Sequence, residues 1–325
     1  MIGRFAPSPT GRMHLGNVWV ALLSDLAVHA GGGSQILRIE DLDLARSSES
    51  YTAQLVDDLD WLGLKADLGY PPEAMIRQSE RTDLYLDLFE SWRHAGRIYP
   101  CRCRRADLLA ASAPHAEDGH RVYAGTCRPH LSEAPYWDSA TNLVDYPSIA
   151  EKAAWRLIVE PETIAFNDVV AGPCSLNLAT DWGDFIVRRA DGGFAYQMAC
   201  AADDALMDVN LVVRGRDLLR STFPQIYIFH LLGKPEPTYA HVPLLVDPDG
   251  FRLSKRQRSL DIGALQAAGF SAEQLIGYLA HLAGLIDRPE AVTARELQAD
   301  FSLSKIVSQA TIVVDSAELY KLNVT

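Results

Sequence analysis

Apolar and polar positions alternate between two periods along this chain, and the changes of period divide it into elements. Ile2 to Phe5 is a short apolar run broken by Pro7, Pro9 and Gly11. Such punctuation ends a strand and opens a loop. A helix follows from His14 into Val18-Trp-Val-Ala-Leu-Leu and on to Ala30, stopped by Gly31-Gly-Gly33, and Gln35 to Glu40 reads as the next strand. This is a strand, helix, strand opening. From Ser47 to Leu62 the spacing of Tyr51, Leu55, Leu59 and Leu62 predicts an amphipathic helix closed by Gly63. Ser79 to Ala95 predicts another helix. Beyond Tyr99 the pattern breaks into short segments with Cys, His, Pro and Gly, which reads as an inserted module reaching about Arg189.

A second parallel run then begins. Leu211-Val-Val-Arg-Gly215 predicts a strand feeding a turn, Tyr227 to Leu232 lies on the following helix, and His241 to Val246 predicts one more strand. The remainder is helical in pattern, over Ala264 to Ala268, Ala272 to Ala283 and Ala294 to Phe301. The chain is thus expected to be α/β, with a doubly wound parallel sheet, an insert and a small helical appendage. Ligands of such sheets bind beyond the carboxyl ends of the strands, where Pro7 to His14 and Glu40-Asp41 fall.

The 325 residues allow two or three packed units with a large core. Hydrophobic residues make up 48% and charged residues 22%, values of an ordinary globular protein, and no internal repeat is visible. The net charge of -12 argues against broad non-specific nucleic-acid binding, which relies on Lys and Arg, although a local basic face remains compatible with it. No apolar run has membrane-spanning length and no signal-peptide core opens the chain. A cytoplasmic enzyme is the expectation.

Two segments about 240 residues apart carry the chemistry: Arg4 to Asn17, and Gly250-Phe-Arg-Leu-Ser-Lys-Arg256. The first turns a strand into a helix whose N-terminal amides suit a phosphate. His14 and Asn17 add donors at the same helix end, placed to stabilise charge that builds on an α-phosphate during attack. The second segment supplies Lys255, a cation able to reach a leaving pyrophosphate, beside Ser254. Together they point to ATP.

These segments resemble the HIGH and KMSKS motifs of class I aminoacyl-tRNA synthetases. Phe5-Ala-Pro-Ser-Pro-Thr-Gly11 with Leu37-Arg-Ile-Glu-Asp-Leu-Asp43 is similar to the glutamyl branch, as are Asp184 to Gly192, Ala195-Tyr-Gln197, Asp203-Asp204 and Val213 to Asp217. The resemblance implies a Rossmann-type catalytic domain that forms an aminoacyl-adenylate from ATP and Mg²⁺, with His14, Asn17 and Lys255 catalytic and Gly16 and Ser254 also at ATP. It further implies a glutamate pocket of Arg4, Phe5, Ala6, Pro7, Ser8, Glu40, Tyr196 and Arg214. Arg4, Arg214 and the Tyr196 hydroxyl then serve the carboxylates, and Glu40 the ammonium. Read singly, Arg214 is equally a strand-end arginine, Tyr196 a core aromatic, and Glu40 an ion-pair partner of Arg38 or Arg46.

Cys101-Arg-Cys103 and Tyr123-Ala-Gly-Thr-Cys127 form a third constellation. In a chain expected to be cytosolic such cysteines suit a metal better than a disulfide, and three thiolates leave one tetrahedral place for Tyr123, His115, His120 or His130. The pattern is similar to the zinc site of the short paralogues of the glutamyl branch, the glutamyl-Q tRNA(Asp) synthetases, which implies Tyr123 as fourth ligand of one structural Zn²⁺. Arg102, Arg104, Arg105, Arg121 and Arg128 around it read as a tRNA acceptor face or as a solvated rim. Cys174 and Cys200 are expected in the core.

Three motif positions depart from the branch. Arg252 and Arg256 flank Leu253-Ser-Lys255 where lysine and serine are usual, and Asn17 replaces the second imidazole of HIGH. The expected organisation is a catalytic first half over 1–98, a zinc-bearing insert over 99–189, a catalytic second half over 190–246, and a KMSKS-like loop with helical stem-contact-like domain over 247–325, without an anticodon-binding domain. By resemblance this implies a monomeric ligase that activates glutamate without tRNA and passes it to queuosine in tRNA(Asp). The alternatives are a truncated glutamyl-tRNA synthetase charging the 3′ end of tRNA(Glu) and a non-catalytic tRNA-binding paralogue.

Overall fold

The computed structural model describes residues 1–70, 75–103, 122–128, 137–138, 143–144, 153–253 and 260–321. Five parallel strands form the central sheet: β1 (Ile2–Phe5), β2 (Ser34–Ile39), β3 (Ile76–Arg77), and, after a long excursion of the chain, β11 (Leu211–Gly215) and β12 (Thr238–Val242). Their order is β12-β11-β1-β2-β3. The chain leaves β1 toward β2 on one side and returns to β11 on the other, so the switch point lies between β1 and β11, where an open α/β sheet leaves a crevice at its carboxyl edge.

Helix α1 (Leu15–Ala30) crosses from β1 to β2 and is apolar almost all round, with Leu15, Val18, Leu22, Leu23 and Leu26 buried. Each of those leucines contributes about 1.5–3 kcal/mol when withdrawn from water. Close approach to the sheet requires Gly3 in β1, because a Cβ there would stand 2.2 Å from Val28. Helix α2 (Glu49–Leu62) ends at Gly63, whose φ of 70° lies in the left-handed region that closes helices. Helix α3 (Thr82–His94) follows a short 3₁₀ turn.

The stretch after α3 builds a second, antiparallel sheet. β4 (Ile98–Cys101) and β10 (Phe185–Arg188) flank β7 (Ala154–Leu157), while β5 (Trp137–Asp138) pairs with β6 (Leu143–Val144). A hairpin of β8 (Thr163–Asp168) and β9 (Gly172–Asn177) leads into the single turn α4 (Leu178–Asp181). Asp184 clasps this region together: its carboxylate accepts from the Tyr99 hydroxyl at 2.6 Å, the Val159 amide at 2.8 Å and Arg128 at 3.2 Å. Trp155, Leu157, Ile164 and Phe185 share one core with α5 (Tyr196–Leu206) and α6 (Thr222–Leu231).

Three sequence expectations need correction. His241 to Val246 is not one strand: Pro243, which has no N–H to donate, separates β12 from β13 (Leu244–Val246). The C-terminal part is not wholly helical, since α7 (Ile262–Ala267), α8 (Ala272–Leu282) and α9 (Ala294–Gln298) are followed by β14 (Thr311–Val313), which pairs in parallel with β13, and then by α10 (Ser316–Lys321). Cys174 is partly exposed, whereas Cys200 is buried as expected. Among the described residues no helix is long and apolar enough to cross a membrane.

Candidate active site

A cavity of about 480 Å³ opens at the carboxyl edge of β1, β2 and β11. Arg4 and Phe5 enter it from the end of β1, and Ala6, Pro7 and Ser8 from the loop beyond. Glu40 comes from the end of β2, Arg214 from β11, and Tyr196 from the first turn of α5. His14, Gly16 and Asn17 complete the lining at the N-terminus of α1. Ten residues of sequence separate Arg4 from His14 and more than two hundred separate it from Arg214, yet all meet because parallel strands deliver their ends to one edge. Ser254 and Lys255 lie outside the described residues.

Backbone bonds fix the relative positions. The Pro7 carbonyl accepts from the Glu40 amide at 2.9 Å, which ties the loop after β1 to the end of β2. His14 is the N-cap of α1: its Nδ1 accepts from the Gly16 amide at 3.1 Å, and the Asn17 carbonyl oxygen accepts from the His14 amide at 3.1 Å. This capping box explains the amide in place of the second imidazole, because Oδ1 of Asn17 closes the helix end and its NH₂ remains a donor. With Nδ1 accepting, the proton of a neutral His14 resides on Nε2, making that nitrogen a donor as well.

Buried charges surround the part of the cavity lined by Arg4 and Glu40. Asp204 receives Arg4 Nε at 3.2 Å and Arg38 Nη1 at 2.6 Å, and Arg38 also gives Nη2 to Glu40 at 3.2 Å. Burial opposes the charge of Arg4 more than any single neighbour favours it, yet Asp204 together with the weaker pulls of Cys200 and Tyr196 holds the guanidinium above its ordinary pKa. Asp204 behaves conversely: burial pushes its pKa up, Arg38 and Arg4 pull harder, and it ends below the usual carboxylate range. Glu40 keeps a raised pKa because burial exceeds the help from Arg38 and Arg4. A carboxylate in that state gains from one further cation. Burial keeps Tyr196 protonated, hence a donor.

Arg214 is 3% exposed and is held on three sides, by His241 Nε2 at 2.9 Å, Gln225 at 2.8 Å and Thr222 at 2.7 Å. A guanidinium has five N–H donors, so two stay available on a side chain that lines the cavity. The ion pair of Glu40 with Arg38 is one of the bland readings of the sequence, and it coexists with placement in the cavity; Arg46 instead pairs with Asp43. Sequence reasoning paired Arg38 with Glu40 but missed the roles of Asp204, His241, Thr222 and Gln225 around this site. Only the adjacent Asp203-Asp204 pair offered a signal, and Asp203 accepts from Gln78, Arg81 and Tyr85 beneath the same network.

At the other end of the cavity Arg252 forms an ion pair with Asp217, both of them lining residues. Arg12, in the loop between β1 and α1, reaches Asp58 at 2.9 Å and Gln266 at 3.0 Å.

Far along the chain, the sulfur atoms of Cys101, Cys103 and Cys127 lie within 4.8 Å of one another. The Tyr123 hydroxyl stands 3.6 Å from the Cys101 sulfur and 3.7 Å from that of Cys103, and accepts from the Cys127 amide at 2.8 Å. Ligands about 2.3 Å from a tetrahedral ion stand roughly 3.8 Å apart, so three thiols and a phenol at these separations fit a metal. Arg156 lies 3.7 Å from the centre of the Tyr123 ring, adding positive charge beside groups that bind metal as anions. His115, His120 and His130 lie outside the described residues, as do Arg104, Arg105 and Arg121.

Comparison with known proteins places the chain in a family. Residues 1–320 match the family of tRNA synthetases class I (E and Q), catalytic domain. A glutamyl-Q tRNA(Asp) synthetase of Symbiobacterium thermophilum is 45% identical over 314 residues, covering 94% of each chain. Another of that name, from Nitratidesulfovibrio vulgaris, is 42% identical over 289 residues, 87% of this chain and 86% of the relative. The crystal structure of a glutamate tRNA ligase from Elizabethkingia meningosepticum, in complex with its amino acid, superposes with a TM-score of 0.79 at 26% identity, covering 99% of this chain and 68% of that one. With a matching family over almost its whole length, a parallel sheet and a capped HIGH-like helix at the cavity, this chain belongs to the class I tRNA synthetases of the E and Q branch.

Proposed function

We propose that this chain activates glutamate with ATP and transfers it to the queuosine base of tRNA(Asp), as a monomer in the cytoplasm. The observation that carries the activation step is the meeting of Arg4, Glu40, Tyr196 and Arg214 in the cavity that His14 and Asn17 also line. Arg214, Arg4 and the Tyr196 hydroxyl offer donors to carboxylates, and buried Glu40 receives the ammonium. The α-carboxylate attacks the α-phosphorus of ATP, an O–P bond forms as the bond to pyrophosphate breaks, and glutamyl-adenylate results. His14 Nε2–H and the Asn17 amide stabilise charge on the phosphoryl oxygens by preorganised donation. In this reading Lys255, beside Ser254, serves the departing pyrophosphate, with Mg²⁺ accompanying ATP.

In the second step a hydroxyl of the cyclopentenediol of queuosine attacks the acyl carbon, AMP leaves, and the hydroxyl proton is lost. Support for this acceptor comes from the relatives named glutamyl-Q tRNA(Asp) synthetases, which align along most of the chain. Within this reading residues 99–189 form the acceptor-binding insert, held in shape by one Zn²⁺ on Cys101, Cys103, Cys127 and Tyr123, where the metal supplies structural cross-linking. Exchange of labelled pyrophosphate into ATP, measured with glutamate and no tRNA, tests the activation step. Exchange that depends on glutamate is expected; exchange only when tRNA(Glu) is added favours a tRNA(Glu)-charging enzyme, and none under either condition removes both.

A further inference from the structure

Asp168 ends the strand β8 of a hairpin that lies outside the parallel sheet, yet it is buried against the middle of β12. Its Oδ1 accepts from the amides of Val170 at 3.0 Å and Ala171 at 2.7 Å, and the His241 amide is shared between Oδ1 and Oδ2 at 3.1 Å each. Oδ2 faces His241 Nδ1 at 2.6 Å. On its far side, His241 Nε2 stands 2.9 Å from Nε of Arg214. A guanidinium can only donate, so Nε2 must accept. The ring is therefore neutral, its single proton sits on Nδ1, and that proton is given to Asp168. Both His241 and Asp168 are fully shielded from solvent at the side chain, so water does not compete for either bond.

We propose that Asp168 and His241 are positioning residues for Arg214, so that a hairpin outside the catalytic sheet sets how tightly the cavity holds its amino acid. The inference rests on the reading of Arg214 as a carboxylate ligand. The ordered chain runs from carboxylate to imidazole to guanidinium, and it admits one proton arrangement. The other bonds of Arg214, to Gln225 and Thr222, fix its terminal nitrogens, while His241 fixes Nε and with it the plane of the fork. Reversing the imidazole tautomer would set two N–H groups against each other and turn that plane.

Asp168→Asn makes the reversal without changing shape. The amides of Val170 and Ala171 hold the oxygen at the Oδ1 position, so the new NH₂ faces Nδ1 and drives the imidazole proton to Nε2. In glutamate-dependent pyrophosphate exchange, D168N should raise KM for glutamate by about tenfold, with KM for ATP unchanged, the size of one misdirected charge-assisted bond. Adding His241→Gln should recover most of that loss, because the glutamine Oε1 reaches the place of Nε2 and accepts from Arg214 whatever occupies position 168. A purely structural role predicts the opposite, since a second core substitution adds damage. An unchanged glutamate KM in D168N, or a double variant no better than D168N, overturns the proposal. Should D168N fail to fold by circular dichroism, His241→Leu must raise the glutamate KM several-fold above His241→Gln, and equal values overturn it. Imidazole ¹⁵N shifts read the tautomer without activity: wild type is expected protonated at Nδ1, and protonation at Nε2 overturns the chain even if exchange proceeds. A wild type that shows the Nδ1 tautomer but no glutamate-dependent exchange removes the functional reading, and the positioning role with it.

Discussion

The Met13 carbonyl accepts a hydrogen bond from the Ile262 amide at 3.0 Å, joining the loop ahead of His14 to helix α7, which follows residues 254–259. The connection is reinforced by side chains. Arg12 binds the buried carboxylate of Asp58 through Nε and Nη2, and Nη2 also reaches Gln266. The loop ahead of His14 is therefore tied directly to the C-terminal helical part of the chain through α7.

Gly263 makes room for that strut, because a Cβ there would stand 1.9 Å from Arg12 Nη1. Gly263→Ala is expected to displace the guanidinium and leave Asp58 buried without its partner, at a cost of about 1–3 kcal/mol. Urea denaturation followed by circular dichroism measures it; a midpoint equal to wild type would show that Arg12 finds an equivalent seat.

Glu40→Gln removes the carboxylate assigned to the α-ammonium while keeping the side-chain shape. We expect kcat/KM for glutamate to fall by about 10- to 100-fold, the range for losing charge-assisted bonds, with KM for ATP unchanged. Steady-state pyrophosphate exchange separates the two constants. An equal loss toward both substrates would place Glu40 in general stability instead.

For the cysteine cluster the expectation is about one zinc per chain by atomic spectroscopy, lost in Cys103→Ser and weakened in Tyr123→Phe. Chelation should lower the melting temperature of the wild type. If Tyr123→Phe retains full zinc content and affinity, the phenol is not a ligand.

Burial lowers the pKa of His241 from its ordinary value to about 4; Asp168 opposes the shift and Arg214 adds to it. Between pH 4 and 6.5 the unfolded chain binds a proton there that the folded one refuses. This contribution to stability is full above the ordinary histidine pKa and is lost as pH falls through about 4, up to about 3 kcal/mol for a fully shielded ring. The stability of wild type relative to His241→Gln should thus rise from pH 4 to 6.5. Parallel curves for the two proteins would contradict a neutral buried imidazole.

What was legible in the sequence was local. Pro7, Pro9, Gly11 and His14 mark the end of β1 and the start of α1 through their own backbone preferences, and Gly63 closes α2 for the same reason. The interruption at Pro243 was written in the residue itself, although the apolar run on both sides concealed it. Asp168 and His241 are 73 residues apart, and no periodicity connects them. Likewise β14 is three residues long and forms only by pairing with β13 across the fold. Resemblance supplied the members of the glutamate pocket; the bonds that orient Arg214 and Arg4 came from packing alone.

The most direct test of the central claim compares acceptors. Purified protein, ATP and labelled glutamate are incubated with tRNA(Asp) bearing queuosine, with the same tRNA lacking it, and with tRNA(Glu). The expected result is label on the queuosine-bearing tRNA(Asp) alone. Label on the 3′ end of tRNA(Glu), or on tRNA(Asp) regardless of queuosine, would contradict it.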